Sequence, residues 1–220
     1  MFTTHNSTAS ICTQELGPMA NFSYIIADKS TALATVIDPA WEVPKIIAVL
    51  TKHGLKLDSV LLTHSHYDHI NGLDELFMHV AHVPLYLSAK EADFWQVIYP
   101  NARHLTDKSQ IQLGNTTITM LETPGHTPGS VCYSVDNLLF TGDTLFLAGC
   151  GRCDLRGGDA GLLFESLHKL KSDLAGDTVI YPGHNYYHQA NTAWEFQLRT
   201  NPFLQFNHKG EFIKYRLDGK

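Results

Sequence analysis

Apolar residues along the chain form short runs whose spacing switches repeatedly between that of a strand and that of a helix. Runs rich in β-branched and aromatic residues predict strands, and Gly, Pro or Asp follows several of them. Strands are predicted over residues 23–27, 31–37, 59–62, 83–87, 111–113, 116–122, 130–135, 137–141 and 178–181. Both halves of the chain therefore contain a set of strands.

Apolar residues recur at helical spacing in the segments between these strands. Residues 43–53 place apolar side chains on one face and are followed by Gly54, a helix stop. Residues 160–174 do the same behind Asp159, a predicted N-cap. Shorter helices are predicted over residues 73–79, 89–97 and 191–200, the second with Ser88 and Glu91 as a capping box. Because strands and helices alternate in each half, we expect an α/β fold with helices outside packed sheets.

The composition is typical of a globular protein with a sizeable core, since 44% of the 220 residues are hydrophobic and 17% are charged. We expect a single domain over residues 1–220. The formal net charge of −6 disfavours a binder of nucleic acid or of anionic membranes. The start of the chain lacks the basic and apolar segments of a secretory signal, and no run approaches about 18 apolar residues. We therefore expect a cytoplasmic protein without a membrane span.

The cysteines are too few for a disulfide scaffold at this length; they are Cys12, Cys132, Cys150 and Cys153. The spacing of Cys150 and Cys153 is that of a redox or zinc pair, but a lone pair does not complete a four-cysteine zinc site. The favoured interpretation is a set of reduced thiols, with Cys150 and Cys153 in a loop.

Histidine is unusually frequent, with 13 residues in the chain. The segment from Thr63 to His69 holds His64, His66, Asp68 and His69 directly after a predicted buried strand. A solvated polar loop is the simpler interpretation. However, these groups would lose hydration and repel one another beside a buried strand unless a cation paired with them. Imidazole and carboxylate are ligands of zinc and similar divalent metals, so the segment predicts a metal site.

Three further candidates stand where later predicted strands end. His126, Asp143 and His184 each follow a glycine that would let the chain turn tightly. The candidate ligands are then His64, His66, Asp68, His69, His126, Asp143 and His184. One four-coordinate catalytic metal takes about three protein ligands, so this set is enough for two ions. A carboxylate can bridge two ions, and Asp143 is the natural choice because the other six ligands then divide three and three. Asp38, at another strand end, is either an orienting partner of a ligand histidine or a turn-forming residue.

The run His64-x-His66-x-Asp68-His69, followed in order by His126, Asp143 and His184, resembles the metallo-β-lactamase superfamily over nearly the whole chain. The chain is most similar to its glyoxalase II (hydroxyacylglutathione hydrolase) group. Four segments carry this similarity, together with a fifth stretch at residues 201–204; the four are residues 125–130, 142–146, 149–152 and 182–186.

The resemblance implies an αββα four-layer sandwich with two divalent ions at one edge, zinc first, with iron or manganese as alternatives. His64, His66 and His126 would bind one ion, Asp68, His69 and His184 the other, and Asp143 both. It also implies a hydrolase that cleaves a thioester such as S-lactoylglutathione by attack of a bridging hydroxide, which Asp68 would help to orient. Arg152 and Tyr186 would contact the glutathione part of the substrate, although a surface charge and a packed aromatic are the simpler interpretations.

The chain departs from typical glyoxalase II at its end, where only residues 185–220 follow His184. That is too short for the helical domain that supplies further basic residues for glutathione. Lys209, Lys214 and Arg216 could replace them, but a solvated tail is the favoured interpretation. The chain is therefore more similar to the short, single-domain members of the group, and either a monomer or a homodimer is expected.

An alternative within the same superfamily is a persulfide dioxygenase, which binds one iron and would use His64, His126 and Asp143. The glycine at position 183 favours the hydrolase, because the dioxygenases usually have alanine there. A secreted β-lactamase is disfavoured without a secretory signal, and a nuclease by the acidic chain. A metal-binding protein without enzymatic activity is disfavoured by the complete ligand set.

Overall fold

A computed structural model describes residues 2–3, 8–80 and 82–218. Its strands are β1 (Phe2–Thr3), β2 (Ala9–Leu16), β3 (Asn21–Asp28), β4 (Leu33–Ile37), β5 (Lys56–Leu61), β6 (Leu85–Ser88), β7 (Ala102–Leu105), β8 (Gln110–Leu113), β9 (Thr116–Glu122), β10 (Val131–Val135), β11 (Leu138–Gly142), β12 (Val179–Pro182) and β13 (Thr192–Ala193). Its helices are α1 (Val43–Lys52), α2 (Tyr67–Ile70), α3 (Leu73–His79), α4 (Ala89–Trp95), α5 (Ala160–Asp173), α6 (Trp194–Thr200) and α7 (Lys209–Asp218), with a 3₁₀ turn at Pro202–Leu204.

The strands form two mixed sheets. The first runs in the order β1-β2-β3-β4-β5-β6-β7, antiparallel from β1 to β4 and parallel from β4 to β7. The second runs in the order β13-β12-β11-β10-β9-β8 and is antiparallel except between β11 and β12. Parallel neighbours need a crossover connection, and helices α1 and α5 provide two of them.

Three buried clusters define the layers. Side chains from both sheets share the central cluster, which includes Tyr24, Phe140 and Tyr181. A second cluster packs the outer face of the first sheet against α1, α3 and α4. A third packs the outer face of the second sheet against α5, α6 and α7. The predicted α/β fold, an αββα four-layer sandwich, is confirmed.

The predicted elements are recovered with shifts of one to three residues at most of their ends. Strands β1, β2, β7 and β13 were not predicted from the sequence. Strand β2 pairs with β3 along its whole length, and β7 is an edge strand whose middle residues are exposed. Such strands are held by pairing with a neighbouring strand rather than by their own pattern.

Two local predictions were wrong. Ser88 precedes α4, but in the described part of the chain its side chain makes no capping hydrogen bond. The Glu91 carboxylate accepts a hydrogen bond from the Ser65 amide instead of capping the helix. The C-terminal segment is not a solvated tail, because α7 packs on α5 with Phe212 fully buried. Asp159 caps α5 as predicted, accepting a hydrogen bond from the Leu162 amide at 2.9 Å.

The four cysteines all lie within the described residues and are buried. Burial raises the pKa of Cys153 to about 11 and raises that of Cys150 further. Thiols are reactive as thiolates, so burial makes both cysteines poor nucleophiles. Among the helices that the structure describes, none is long and apolar enough to cross a membrane.

Candidate metal centre

The candidate ligands gather at one edge of the sandwich, where strands of both sheets end. The loop after β5 carries His64 and His66, and the short helix α2 that follows carries Asp68 and His69. From the second sheet, His126 follows β9, Asp143 follows β11 and His184 follows β12. The structure thus brings together all seven side chains that the sequence singled out.

One trio, His64, His66 and His126, has one nitrogen from each ring within 4.8 Å of the others. Nδ1 of His66 lies 2.9 Å from Nε2 of His126. Nε2 of His64 is buried and has no hydrogen-bond partner among the described residues. A buried polar atom without a partner is rare and costly, so this nitrogen points to a ligand.

The other trio, Asp68, His69 and His184, is equally compact. Nε2 of His69 lies 3.2 Å from Nε2 of His184. Oδ2 of Asp68 lies 3.5 Å from the first of these nitrogens and 3.4 Å from the second. One carboxylate and two imidazoles converging in this way match the ligand set of a divalent cation.

Asp143 lies between the two trios. Its Oδ1 is 3.4 Å from Nε2 of His69, and its Oδ2 is 3.5 Å from Nε2 of His126 and 3.4 Å from Nε2 of His184. The carboxylate therefore reaches one histidine of the first trio and two of the second. This is the placement that a bridge between two ions requires.

The outward nitrogen of four histidines is held by a partner, which leaves the other nitrogen facing the centre. Nδ1 of His126 donates to the Arg152 carbonyl at 2.7 Å, and Nδ1 of His184 donates to the Met19 carbonyl at 2.9 Å. Nδ1 of His69 lies 3.0 Å from Oδ2 of Asp38. The remaining pair is His64 Nδ1 and Thr63 Oγ1, 3.1 Å apart. Partners of this kind fix the ring orientation that a metal needs.

Asp38 is thus an orienting partner of a ligand histidine, the first of the two interpretations offered by the sequence. Its buried carboxylate also accepts hydrogen bonds from the Thr63 amide at 2.8 Å and from the Thr63 hydroxyl. The same carboxylate therefore holds the start of the His64–His69 loop and the ring of His69.

The two trios differ in the balance between burial and the neighbouring carboxylates. It lowers the pKa of His64 well below its ordinary value, lowers that of His126, and brings that of His66 to about 4. Burial opposes protonation of His69 and His184 as well, but the Asp143 carboxylate outweighs it and raises both pKa values. Burial alone would raise the pKa of Asp143, yet these two histidines hold it well below its ordinary range. A cation that binds here replaces their protons, so its binding weakens as the pH falls.

Close approach to Asp143 explains one of the glycines at the strand ends. Gly125 and Gly142 have positive φ angles, as the predicted tight turns require. Gly183 is needed for space rather than for a turn, because a Cβ added there would lie 2.3 Å from Oδ1 of Asp143. Position 183 must therefore lack a side chain if Asp143 is to keep its place.

Asn21 was missed by sequence reasoning, since nothing in its local sequence marks it as a site residue. It is the first residue of β3, and it is fully buried. Its side-chain amide donates to Oδ2 of Asp68 at 2.8 Å, while its Oδ1 accepts from the indole of Trp41 at 2.8 Å. Asn21 therefore holds the carboxylate of the second trio in place.

Glu91 was assigned to a helix cap but ties together the two loops of the first trio. Its carboxylate accepts from the amide of Ser65 at 2.7 Å, the hydroxyl of Thr127 at 2.7 Å and the amide of Gly129 at 3.0 Å. Burial raises its pKa despite these donors. The structure shows that Glu91 is buried in α4, and a buried carboxyl group needs such partners.

Arg152 and Tyr186 both line the cavity above the cluster, which has a volume of about 370 Å³. The Arg152 guanidinium is paired with Asp154 by hydrogen bonds of 2.9 and 2.7 Å. The Tyr186 ring stacks on His184 with ring centroids 4.7 Å apart, and burial raises its pKa to about 12.

The C-terminal cations lie outside this cavity. Lys209 pairs with Glu165 at 3.2 Å, and Lys214 lines a separate cavity beside Phe206. Arg216 donates from Nε to the Gly151 carbonyl at 2.8 Å, so it supports the loop that carries Arg152. In the described structure these residues do not supply the missing glutathione contacts.

A two-sheet sandwich with a trio of histidines and an Asp/His trio at its edge is the arrangement of a metal-dependent hydrolase. The model of the metallo-β-lactamase superfamily matches residues 16–184, which span both trios and Asp143. The chain belongs to the metallo-β-lactamase superfamily, as the sequence resemblance predicted.

Three relatives carry different names. The chain is 39% identical over 197 residues to the probable polyketide biosynthesis zinc-dependent hydrolase BaeB of Bacillus velezensis, covering 90% of this chain and 87% of the relative. It is 34% identical to the hydroxyacylglutathione hydrolase of Aliivibrio salmonicida, covering 92% of this chain and 77% of the relative. It is also 34% identical to the human mitochondrial persulfide dioxygenase ETHE1, covering 88% and 74%. The expected similarity to glyoxalase II is thus one of several within the superfamily.

Among solved structures, ETHE1 from Myxococcus xanthus superposes with a TM-score of 0.86 at 27% identity, covering 96% of this chain and 91% of that one. The fold is therefore shared with that structure along almost the full length of both chains.

Proposed function

We propose that the protein is a dinuclear metal-dependent hydrolase that cleaves a thioester, with S-lactoylglutathione as the first substrate to test. The observation that carries the proposal is the division of the site into two compact trios with Asp143 in contact with both. A single ion would use only one of these two groups of converging ligand atoms.

His64, His66 and His126 would hold one ion, and Asp68, His69 and His184 the other, with Asp143 shared. Zinc is the first choice for such ligands, with iron or manganese as alternatives. The buried Nε2 of His64 and the partners that orient the other rings fit this assignment. Divalent ions bound there would act as Lewis acids and lower the pKa of a water from about 16 toward about 7.

The residues of the chain contribute binding and orientation. The side chain of Asp68 is held by Asn21 and borders the cavity, where it can accept a hydrogen bond from the attacking water. The Tyr186 hydroxyl is protonated at neutral pH, as in any tyrosine, so it can donate a hydrogen bond to the substrate. A thiol leaves readily because its pKa is about 8.5, so no acid is needed to protonate it as it departs.

Arg152 is the proposed contact for an anionic group on the thiol. Its side chain is exposed and lines the cavity, but its partner Asp154 must move or share it. Glutathione therefore stands as one candidate carrier among several thiols.

A persulfide dioxygenase is the second candidate, supported by the 34% identity to human ETHE1. It would bind one iron through His64, His126 and Asp143. The geometry favours the hydrolase, because Gly183 leaves Asp143 free to contact both trios.

One preparation tests both candidates. Metals are counted per chain by plasma mass spectrometry, and the same sample is assayed for thioester cleavage and for oxygen uptake with glutathione persulfide. We expect about two ions per chain and release of thiol. One iron per chain with oxygen uptake and no thioester cleavage would overturn the proposal.

A further inference from the structure

Large apolar side chains that remain exposed concentrate at the mouth of the candidate metal centre. Met19 is 46% exposed, Tyr67 73%, Leu155 38% and Tyr186 57%, and all four line the same cavity. They come from the turn between β2 and β3, the start of α2 and two loops. Exposed apolar groups around a polar floor are typical of a site for a partly apolar ligand.

Charge at this mouth does not favour a polyanionic ligand. Of the Lys and Arg residues in the described structure, Arg152 alone lines the cavity, and Asp154 pairs with it. The Arg152 guanidinium lowers the pKa of Asp154 to about 2, so this pair stays charged and mutually neutralised at neutral pH.

Met19 and Arg152 lie beside different trios. The carbonyl of Met19 accepts from His184 of the second trio, and Tyr67 stands in the chain between His66 of the first trio and Asp68 of the second. The ring of Tyr67 stands edge-on to Trp41, with centroids 6.1 Å apart. The carbonyl of Arg152 accepts from His126 of the first trio. A thioester lying across the centre would place one end beside Met19 and the other beside Arg152.

We infer that the enzyme prefers thioesters whose acyl group is long and apolar, and that Met19 and Tyr67 contact this group. The inference rests on the proposed thioester hydrolysis and specifies its substrate class. A lactoyl group is short and carries a hydroxyl, so it would leave these side chains in water. An apolar chain would remove their surface from water, which favours binding in proportion to the area covered.

The test varies the acyl group on one neutral thiol, N-acetylcysteamine, from acetyl through butanoyl and hexanoyl to octanoyl. We expect kcat/KM to rise along the series by at least about tenfold, since each methylene in an apolar site gives a sizeable gain. In Met19→Gln and Tyr67→Gln this rise should shrink, and in Met19→Leu and Tyr67→Leu it should persist. Met78→Gln is the matched control, because Met78 is 80% exposed and lies by a different cavity.

A binding measurement supports the kinetics without requiring turnover. Calorimetric titration with S-ethyl- and S-octyl-N-acetylcysteamine, which are thioethers and are not hydrolysed, should show at least about tenfold tighter binding of the octyl compound. The glutamine variants should lose most of that difference, and Met78→Gln should keep it.

A final arm separates the acyl end from the thiol end. S-Octyl thioacetate carries the apolar chain on the thiol, whereas S-octanoyl-N-acetylcysteamine carries it on the acyl group. Equal gains from both would overturn the assignment to the acyl end. Cleavage of all lengths at one rate would overturn the preference while leaving thioester hydrolysis intact. Absence of any thioester cleavage by enzyme loaded with two ions would instead refute the proposed function itself.

Discussion

The two ends of strand β3 (Asn21–Asp28), roughly 23 Å apart, each carry a buried polar network, and the two networks are completed differently. At the far end the Asp28 carboxylate accepts hydrogen bonds from Ser30, Thr31, Asn115 and Thr116. These donors outweigh the effect of burial and hold the pKa of Asp28 well below its ordinary range. The chain supplies every partner that this carboxylate needs.

At the near end Asn21 holds Asp68, and two carboxylates face five imidazole rings. There the polar atoms point at one another, and one nitrogen of His64 has no partner among the described residues. The comparison separates a structural network from a functional one. The first is satisfied by the protein, whereas the second has its donor atoms arranged for a ligand.

The largest expected effect comes from Asp143→Asn, which removes the charge shared by both trios. We expect loss of activity beyond the about hundredfold effect typical of groups that only orient a ligand, together with lower metal content. Activity and metal stoichiometry are measured on the same purified sample. A variant that kept both ions and full activity would contradict the bridging role.

Asp28→Asn tests the other end of β3 and should cost about 3 kcal/mol in the free energy of unfolding, because several buried donors lose their charged partner. Since the folded pKa of Asp28 is lowered, its contribution is present above the unfolded pKa of about 4 and is lost as the pH falls below it. Urea unfolding at several pH values should show the difference from wild type shrinking in acid. Metal content should be unchanged, and a loss of metal would break the distinction between the two ends.

Gly183→Ala places a methyl group against Oδ1 of Asp143. We expect about ten- to hundredfold lower affinity for one of the two ions, because Asp143 can no longer keep its position between the trios. Gly210→Ala is the control, since nothing in the described structure lies within 4 Å of a Cβ built there. Equal metal binding by the two variants would mean that Asp143 does not need the space at position 183.

Asn21→Ala removes the amide that holds Asp68. It should lower the affinity for the ion held by the second trio by about tenfold. Competition with a chromogenic chelator measures the stepwise affinities. Asn71→Ala is the matched control, because Asn71 also binds Trp41, accepting from its amide at 2.6 Å, without touching a ligand. If both substitutions weakened metal binding equally, the effect would come from Trp41 rather than from Asp68.

Much of this could be predicted from the sequence because the ligands stand at strand ends. Alternating strands and helices predicted an α/β fold with helices outside packed sheets, and the run from His64 to His69 predicted the metal site, as both features are local in sequence. The four-layer sandwich was an expectation from the family resemblance. The residues that orient the ligands were harder. Two interpretations of Asp38 stayed open, nothing in the local sequence of Asn21 marked it as a site residue, and Glu91 was assigned to a helix cap. Their hydrogen-bond partners are distant in the chain, so the local sequence does not reveal them.

The C-terminal segment shows the same limit. The apolar residues of α7 are sparse, and its helix is stabilised by burying Phe212 against α5 and by the bond from Arg216 to Gly151. Neither contact has a signature in the local sequence, so the segment was mistaken for a solvated tail.

Met19 and Arg152 hold ligand histidines through their carbonyl oxygens, while their side chains line the mouth. A carbonyl is present whatever the side chain is, so a substitution at either position changes what the mouth can recognise and preserves the hydrogen bond. Substrate choice in this protein can therefore diverge by single amino-acid replacements, with the reactive centre inherited unaltered.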